Sequence, residues 1–172
     1  VSATVINPYA FAEERVVNGN FSNTTGMTNN AAGWWGRAVP AGWGSFTIGV
    51  PTSDFLIRIF DGVYYANLNV LSRSPAEAGG TLPFYQDFTL PATSDVTLTF
   101  FGSNPFNTNA WSMGVNIANR TTAQTLATHS LSSSGTIVLT ASNVPAGHAI
   151  RVNFWKGSVQ HTPAISNVSV VF

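Results

Sequence analysis

An all-β fold, a sandwich of antiparallel strands, is what this sequence predicts, and three observations lead there. Apolar and polar residues alternate at period two through most of the chain, the alternating runs are bounded by Gly, Pro and Asn, and helical spacing is almost absent. Parallel sheets need crossover helices between their strands, so the same pattern excludes a parallel α/β arrangement.

The elements follow in order. Residues 21–45 have no period; Asn23-Thr24-Thr25-Gly26 and Asn29-Asn30-Ala31-Ala32-Gly33 have turn chemistry, and they enclose Trp34 and Trp35. This reads as a long loop, and long loops in compact domains are usually functional or mobile. Trp43 is assigned to the core. Strand-like runs follow at 46–50, 55–60 and 64–71; in the last, Tyr64, Ala66, Leu68 and Val70 share one face and Tyr65, Asn67 and Asn69 the other. Residues 84–90 come next. The clearest strand has Val96, Leu98 and Phe100 on one side and Thr97 and Thr99 on the other. Trp111, Met113, Val115 and Ile117 alternate with Ser112, Gly114 and Asn116, which favours a core place for Trp111 unless that face is the concave one. Runs at 125–131 and 136–140 flank the Ser-rich turn Ser132-Ser133-Ser134-Gly135. In 150–155 Val152 and Phe154 oppose Arg151, Asn153 and Trp155, and at the end Val168, Val170 and Phe172 alternate with Asn167, Ser169 and Val171. That makes about ten strands.

Composition narrows the function. At 172 residues the chain is about one domain and long enough to bury a core. Charged residues are 8% of it, against about 25% in an average protein, so the surface is finished with 16 Asn, 17 Ser and 19 Thr instead. Seven basic and seven acidic side chains are spread without a cluster, which leaves no electrostatic footprint for nucleic acid or an anionic membrane. No apolar run of about 18 residues exists to span a bilayer as a helix. Without cysteine there are no disulfides, thiolate metal sites or Cys nucleophiles. A first residue of Val rather than Met fits a secreted, extracellular or cell-surface chain whose leader has been removed. The sequons at Asn20, Asn23, Asn119 and Asn167 are glycosylation candidates, although a composition so rich in Asn, Ser and Thr generates such triplets by chance.

Val16-Val17-Asn18-Gly19-Asn20-Phe21-Ser22, followed by Gly42-Trp43, resembles the opening of jelly-roll carbohydrate-binding modules, an N-G-D-F-E-like strand before a Gly-Trp. Gly62-Val63-Tyr64-Tyr65-Ala66-Asn67-Leu68 looks like their central strand, Tyr85-Gln86-Asp87-Phe88-Thr89-Leu90 like their Q-containing strand, and Ile165-Ser166-Asn167-Val168-Ser169-Val170 like their D-D-V-S-type closing strand. The resemblance covers residues 16–172 and implies a jelly-roll sandwich there, with residues 1–15 as an N-terminal extension, an edge strand or a strand donated to a neighbour. It also implies a glycan partner and a structural calcium. The positions matching the calcium ligands are Asn20, Ser22 and Asn167, neutral where the family has carboxylates, so only weak calcium binding is expected and no other cofactor. Leu71-Ser72-Arg73-Ser74-Pro75-Ala76-Glu77 lacks the aromatic that many sugar-binding relatives place after the central strand.

No catalytic motif stands out. Asp61-Gly62 and Ser94-Asp95 read as turns, and His129, His148 and His161 lack the spacing that sets two metal ligands on one face. Ser132–Ser134 is not a nucleophile elbow, since no G-x-S-x-G surrounds it. Aromatic platforms are better supplied: sugar rings present C–H faces to aromatic rings while amides and hydroxyls satisfy the rim. The candidate ligand-binding residues are Trp34, Trp35 and Arg37 in the long loop, Tyr65 and Asn67, Trp111, and the outward strip Arg151, Asn153 and Trp155. Two functions are therefore expected, a noncatalytic glycan-binding module or a structural subunit of an extracellular filament or surface layer. The second would assemble by exchange of a segment such as residues 1–15 onto an open sheet edge, with the low charge favouring self-association.

Overall fold

The computed structural model describes residues 14–31, 34–36, 38–45, 56–72, 83–106, 108–157 and 162–172. In chain order they form β1 (Thr28–Ala31), β2 (Trp34–Gly36), β3 (Ile57–Phe60), β4 (Val63–Asn67), the single helical turn α1 (Leu68–Leu71), β5 (Phe84–Thr89), β6 (Ser94–Ser103), β7 (Met113–Asn119), β8 (Gln124–Leu131), β9 (Gly135–Val144), β10 (Ala149–Lys156) and β11 (Ala164–Val171). One antiparallel sheet runs β1-β2-β3-β4-β11-β6-β9 and the other β5-β10-β7-β8.

The last eight strands pair as β4 with β11, β5 with β10, β6 with β9 and β7 with β8. This is a long two-stranded ribbon folded back on itself and rolled up, so that β11 meets β6 in one sheet and β10 meets β7 in the other. Rolling a ribbon in this way produces the jelly roll. The hairpin β1-β2 and strand β3 widen the larger sheet. Asp61 and Gly62, with φ of 48° and 75°, form the two-residue turn between β3 and β4 that positive φ at both places makes compatible with strand twist.

The core lies between the sheets. Phe84, Val115, Ile117, Ile150, Val152 and Phe154 come from the smaller sheet, and Val96, Leu98, Phe100, Ile165 and Val170 from the larger, all fully buried. Phe100 meets Phe154 edge to face at 5.0 Å, the geometry that ring quadrupoles prefer. Two aromatics from the segment before β3 complete this cluster. Trp43 stacks on Phe84 at 4.5 Å and 15°, and Phe21 packs on Trp43 at 5.3 Å. Each such side chain, buried completely, contributes about 1.5–3 kcal/mol through its apolar area.

The buried amide of Gln86 completes the attachment of this segment. Its Nε2 donates to the carbonyls of Val17 (3.0 Å) and Gly42 (2.9 Å), and its Oε1 accepts from the Val17 N–H (2.8 Å). Further along, Gly19 lies so close to the backbone of Val168 that a Cβ there would collide with its carbonyl, and the Val168 N–H donates to the Gly19 carbonyl at 2.9 Å. The bulge in β11 around Asn167, whose φ is 50°, frees that N–H from the ladder with β6.

Several expectations need correction. Residues 16–22 are not a strand: 17–20 form a turn, with Asn18 at φ 55° and Phe21 at φ 56°, because burying Phe21 redirects the chain. Residues 21–45 are not one irregular loop, since they contain β1 and β2, with Trp34 and Trp35 in a paired strand. The run 64–71 is a strand only to Asn67. Leu68 and Leu71 are both fully buried at a separation of three, which suits a helical turn and not an extended chain, and Ser72 closes it through N–H (3.1 Å) and Oγ (2.7 Å) bonds to the Leu68 carbonyl. The run 46–50, residues 1–13, Arg37, the stretch 73–82 and His161 lie outside the described residues.

Glu14 and Arg15 continue the larger sheet locally. Glu14 bridges Val171, the Arg15 N–H donates to the Val170 carbonyl (2.9 Å), and Glu14 Oε1 accepts from the N–H groups of Val16 (2.8 Å) and Val170 (3.0 Å). Burial alone would raise the Glu14 pKa, but the Ser169 side chain and the backbone N–H groups of Val16, Val170 and Arg15 together hold it below its ordinary 4.5. A carboxylate depressed on folding stabilises above its unfolded value and loses that contribution as pH falls through the folded one. Below about pH 4.5 the Val16 and Val170 amides are therefore expected to lose hydrogen-exchange protection before those of β6, and Glu14→Gln to remove that pH dependence. Unchanged relative protection down to pH 3 would contradict the assignment.

Candidate functional site

Alternation places the site. Because Ile150, Val152 and Phe154 are buried in the core, Arg151, Asn153 and Trp155 of β10 point to the outer face of the smaller sheet. Register then fixes their neighbours. Arg151 lies opposite Asp87 and Ala118, Asn153 opposite Tyr85 and Asn116, and Trp155 opposite Gly114. Thr128 and Ser130 of β8 extend the rows of Asn116 and Gly114. From Ala149 to Trp155 this face runs six strand steps, about 20 Å.

At one end the half-buried Trp155 ring lies across Gly114, where any Cβ would run into the indole. In the middle, Asn153 Nδ2 donates to Asn116 Oδ1 at 2.6 Å, while Thr128 Oγ1 donates to the Val115 carbonyl at 3.2 Å. Asn153 is nearly covered; Asn116 is the more accessible of the pair. Beyond it the Tyr85 ring bends over Gly44, which is paired to Tyr85 by two backbone bonds of 2.8 and 2.9 Å. The Arg151 guanidinium caps that ring at 3.6 Å from its centroid and binds Asp87 in a two-point fork, Nε to Oδ1 and Nη2 to Oδ2, both 2.7 Å. The hydrogen bond to Asp87 raises the Arg151 pKa above its usual value, outweighing the opposite effect of burial. The two-point fork fixes both side chains geometrically.

Next to the pair a recess of about 300 Å³ is lined by Asp87, Phe88, Thr89, Arg120, Ala149 and Arg151. Arg120 stands on its rim because the turn after β7 is held firmly. Asn119 Oδ1 accepts from the N–H groups of Thr121 (3.0 Å) and Thr122 (3.2 Å), the Arg120 N–H donates to the Ala149 carbonyl (2.7 Å), and the Ala149 N–H donates to Thr121 Oγ1 (2.9 Å).

The expected site residues thus divide. Arg151, Asn153 and Trp155 come together as a strip. Trp34 and Trp35 belong to the other sheet, where Trp35 packs on Tyr64 at 5.5 Å and against the core. Tyr65 is buried and meets Phe106 edge to face, and Asn67 and Trp111 are buried too, Trp111 within the core cluster. Asn119 is also buried, with its amide engaged by the turn and by His148 Nδ1 at 2.8 Å, which leaves no access for glycosylation in the folded chain. Asn20, Asn23 and Asn167 are exposed. As calcium ligands Asn20, Ser22 and Asn167 do not fit: Asn20 Oδ1 already accepts from the Ser22 N–H and Oγ, and the set contains no carboxylate. Asp95 accepts from the Asn143 N–H at 2.8 Å, a structural role at the edge of β6.

Sequence reasoning missed Tyr85, Asp87, Asn116, Thr128 and Arg120. The alternation of β5, Phe84 and Gln86 inward against Tyr85 and Asp87 outward, was a signal for the first two. Nothing local places Arg120 beside Arg151.

No family model and no curated protein matches the sequence. Solved structures give partial likenesses. One described as "CBM4 structure and function" superposes with a TM-score of 0.47 at 18% identity, over 69% of this chain and 75% of that one. The enzymatically active domain of tailspike protein 4 of bacteriophage CBA120 gives 0.49 at 15% identity, over 92% of this chain but only 21% of its own. The CBM22-1 and GH10 modules of Clostridium thermocellum xylanase 10B, complexed with xylohexaose, give 0.36 at 14%, over 62% of this chain and 26% of theirs.

The seating of Trp155 over Gly114 is directly testable. Gly114→Val is expected to lift the indole off the sheet, shifting its fluorescence to longer wavelength and increasing its quenching by iodide, with the far-ultraviolet β signal kept. Trp155 emission unchanged in that variant would contradict the geometry.

Proposed function

We propose that this chain is a noncatalytic, extracellular glycan-binding protein whose ligand lies along the outer face of the four-stranded sheet. The observation that carries the reading is the Trp155 ring laid across Gly114 beside the Asn153–Asn116 amide pair. A flat indole offers the C–H face of a sugar ring an apolar, polarisable surface. The amides and the Thr128 row supply donors and acceptors at the level of its hydroxyls, and the nearby strand backbone needs none of them except through Thr128.

The same face supports binding over hydrolysis. Glycosidases work with two carboxyl groups across the scissile bond. Asp87 is the one carboxylate on β5, β7, β8 and β10, and it is held in a fork by Arg151.

Titration calorimetry with neutral β-glucan, xylan and mannan oligosaccharides tests the proposal. At least one of them is expected to bind, with Trp155→Ala weakening it roughly tenfold or more while thermal unfolding shifts little, since an aromatic anchor commonly contributes over 1 kcal/mol. Binding left intact by Trp155→Ala and by Asn116→Ala would remove this face as the site.

A further inference from the structure

Charge is scarce on this protein, yet three of its fourteen charged side chains line one recess. Asp87, Arg120 and Arg151, with Phe88, Thr89 and Ala149, line a space of about 300 Å³. Two guanidinium groups against one carboxylate leave the recess with one net positive charge, in a chain whose formal net charge is zero.

The geometry divides the two arginines between tasks. Arg151 spends Nε and one hydrogen of Nη2 on Asp87 and lies on the Tyr85 ring, so it is rigid and its charge is neutralised locally. A guanidinium carries five N–H donors, so the two bonds to Asp87 do not exhaust Arg151, which also lines the recess. Arg120 brings the second positive charge from a backbone position fixed by Ala149 and the Asn119-capped turn. A planar acceptor with two oxygens and one negative charge matches such a pair of forks. A volume at the lower limit of ligand pockets suits one small group and not a whole oligosaccharide.

Position tells what bears that group. The recess opens on the same face as Trp155, and Arg151 and Trp155 are four residues apart on β10, about 13 Å. An acid in the recess is therefore in line with a sugar ring on the indole.

We infer that the recess binds the carboxylate of a uronic-acid residue, and that the ligand of this face is an acidic glycan. The inference rests on the glycan reading and adds a second, charge-reading subsite to it. Arg120 pairs with the carboxylate, Arg151 donates to it with a remaining N–H, and Asp87 holds Arg151 in place.

The test uses the whole chain and calorimetry in low and moderate salt. The probes are an oligouronide, the same oligosaccharide with its carboxyl groups reduced to alcohols, and a sulfated oligosaccharide of equal length. The oligouronide is expected to bind roughly tenfold more tightly than its reduced form, the scale of one charge-assisted hydrogen-bonded pair, and the difference to shrink with salt. Arg120→Ala and Arg120→Gln should abolish the difference between the two forms, while Trp155→Ala weakens both. Equal binding of uronide and reduced form, with Trp155→Ala still weakening both, overturns the recess assignment and leaves the glycan reading standing. A preference seen only for the sulfated probe overturns the carboxylate assignment. Discrimination that survives both Arg120 variants overturns the role of Arg120, and failure of all three probes to bind overturns the acidic-glycan inference, while the neutral-oligosaccharide titrations decide the glycan reading separately.

Discussion

The contact between Phe154 and Phe100 across the two sheets, extended by Phe84 and Trp43, is the constraint on which the rest depends. It holds β10 in one orientation, and side chains of a strand alternate without exception through such a regular stretch. Burying Ile150, Val152 and Phe154 therefore obliges Arg151, Asn153 and Trp155 to face out. A slip of one residue would exchange the two sets and place an arginine in the core, which is why the register is so strongly specified. The functional face is in this sense the reverse side of the core.

Two glycines extend the argument from strand to surface. Glycine weakens a strand because it costs backbone entropy and packs nothing of its own. Gly114 and Gly44 each offset this by admitting a ring, Trp155 in the first case and Tyr85 in the second. The rings lie down on the sheet instead of standing off it, which turns two aromatic side chains into flat surfaces. The Tyr85 surface is then claimed by Arg151, so the face divides into an apolar indole, a central amide pair and a charged end.

Period two made most of this fold legible. Alternation in 96–100, 113–117, 150–155 and 168–172 marked strands that the structure contains, and the parity of 150–155 placed Trp155 outward, as found. Sequence reading failed where a side chain's burial competes with the local pattern. Phe21 forces a turn into a stretch that resembles a strand, and Leu68 and Leu71 curl the end of β4 into a helical turn. Tyr65 was expected on an open strip because parity gives a face but not its cover, and the buried ring instead meets Phe106 edge to face. The partners of the site were invisible for a different reason. Asp87 with Arg151 and Asn116 with Asn153 are separated by 64 and 37 residues, and only the rolling of the ribbon sets them side by side.

The account's central claim is that one face of one sheet meets the ligand, and chemical-shift mapping of backbone and indole N–H groups during titration with an oligosaccharide addresses it most directly. The account predicts shifts concentrated at Trp155, Asn153, Asn116 and Thr128, with the Trp155 indole moving most. Shifts confined to the outer face of the larger sheet, at Thr97, Thr99, Val138 and Thr140, would contradict it.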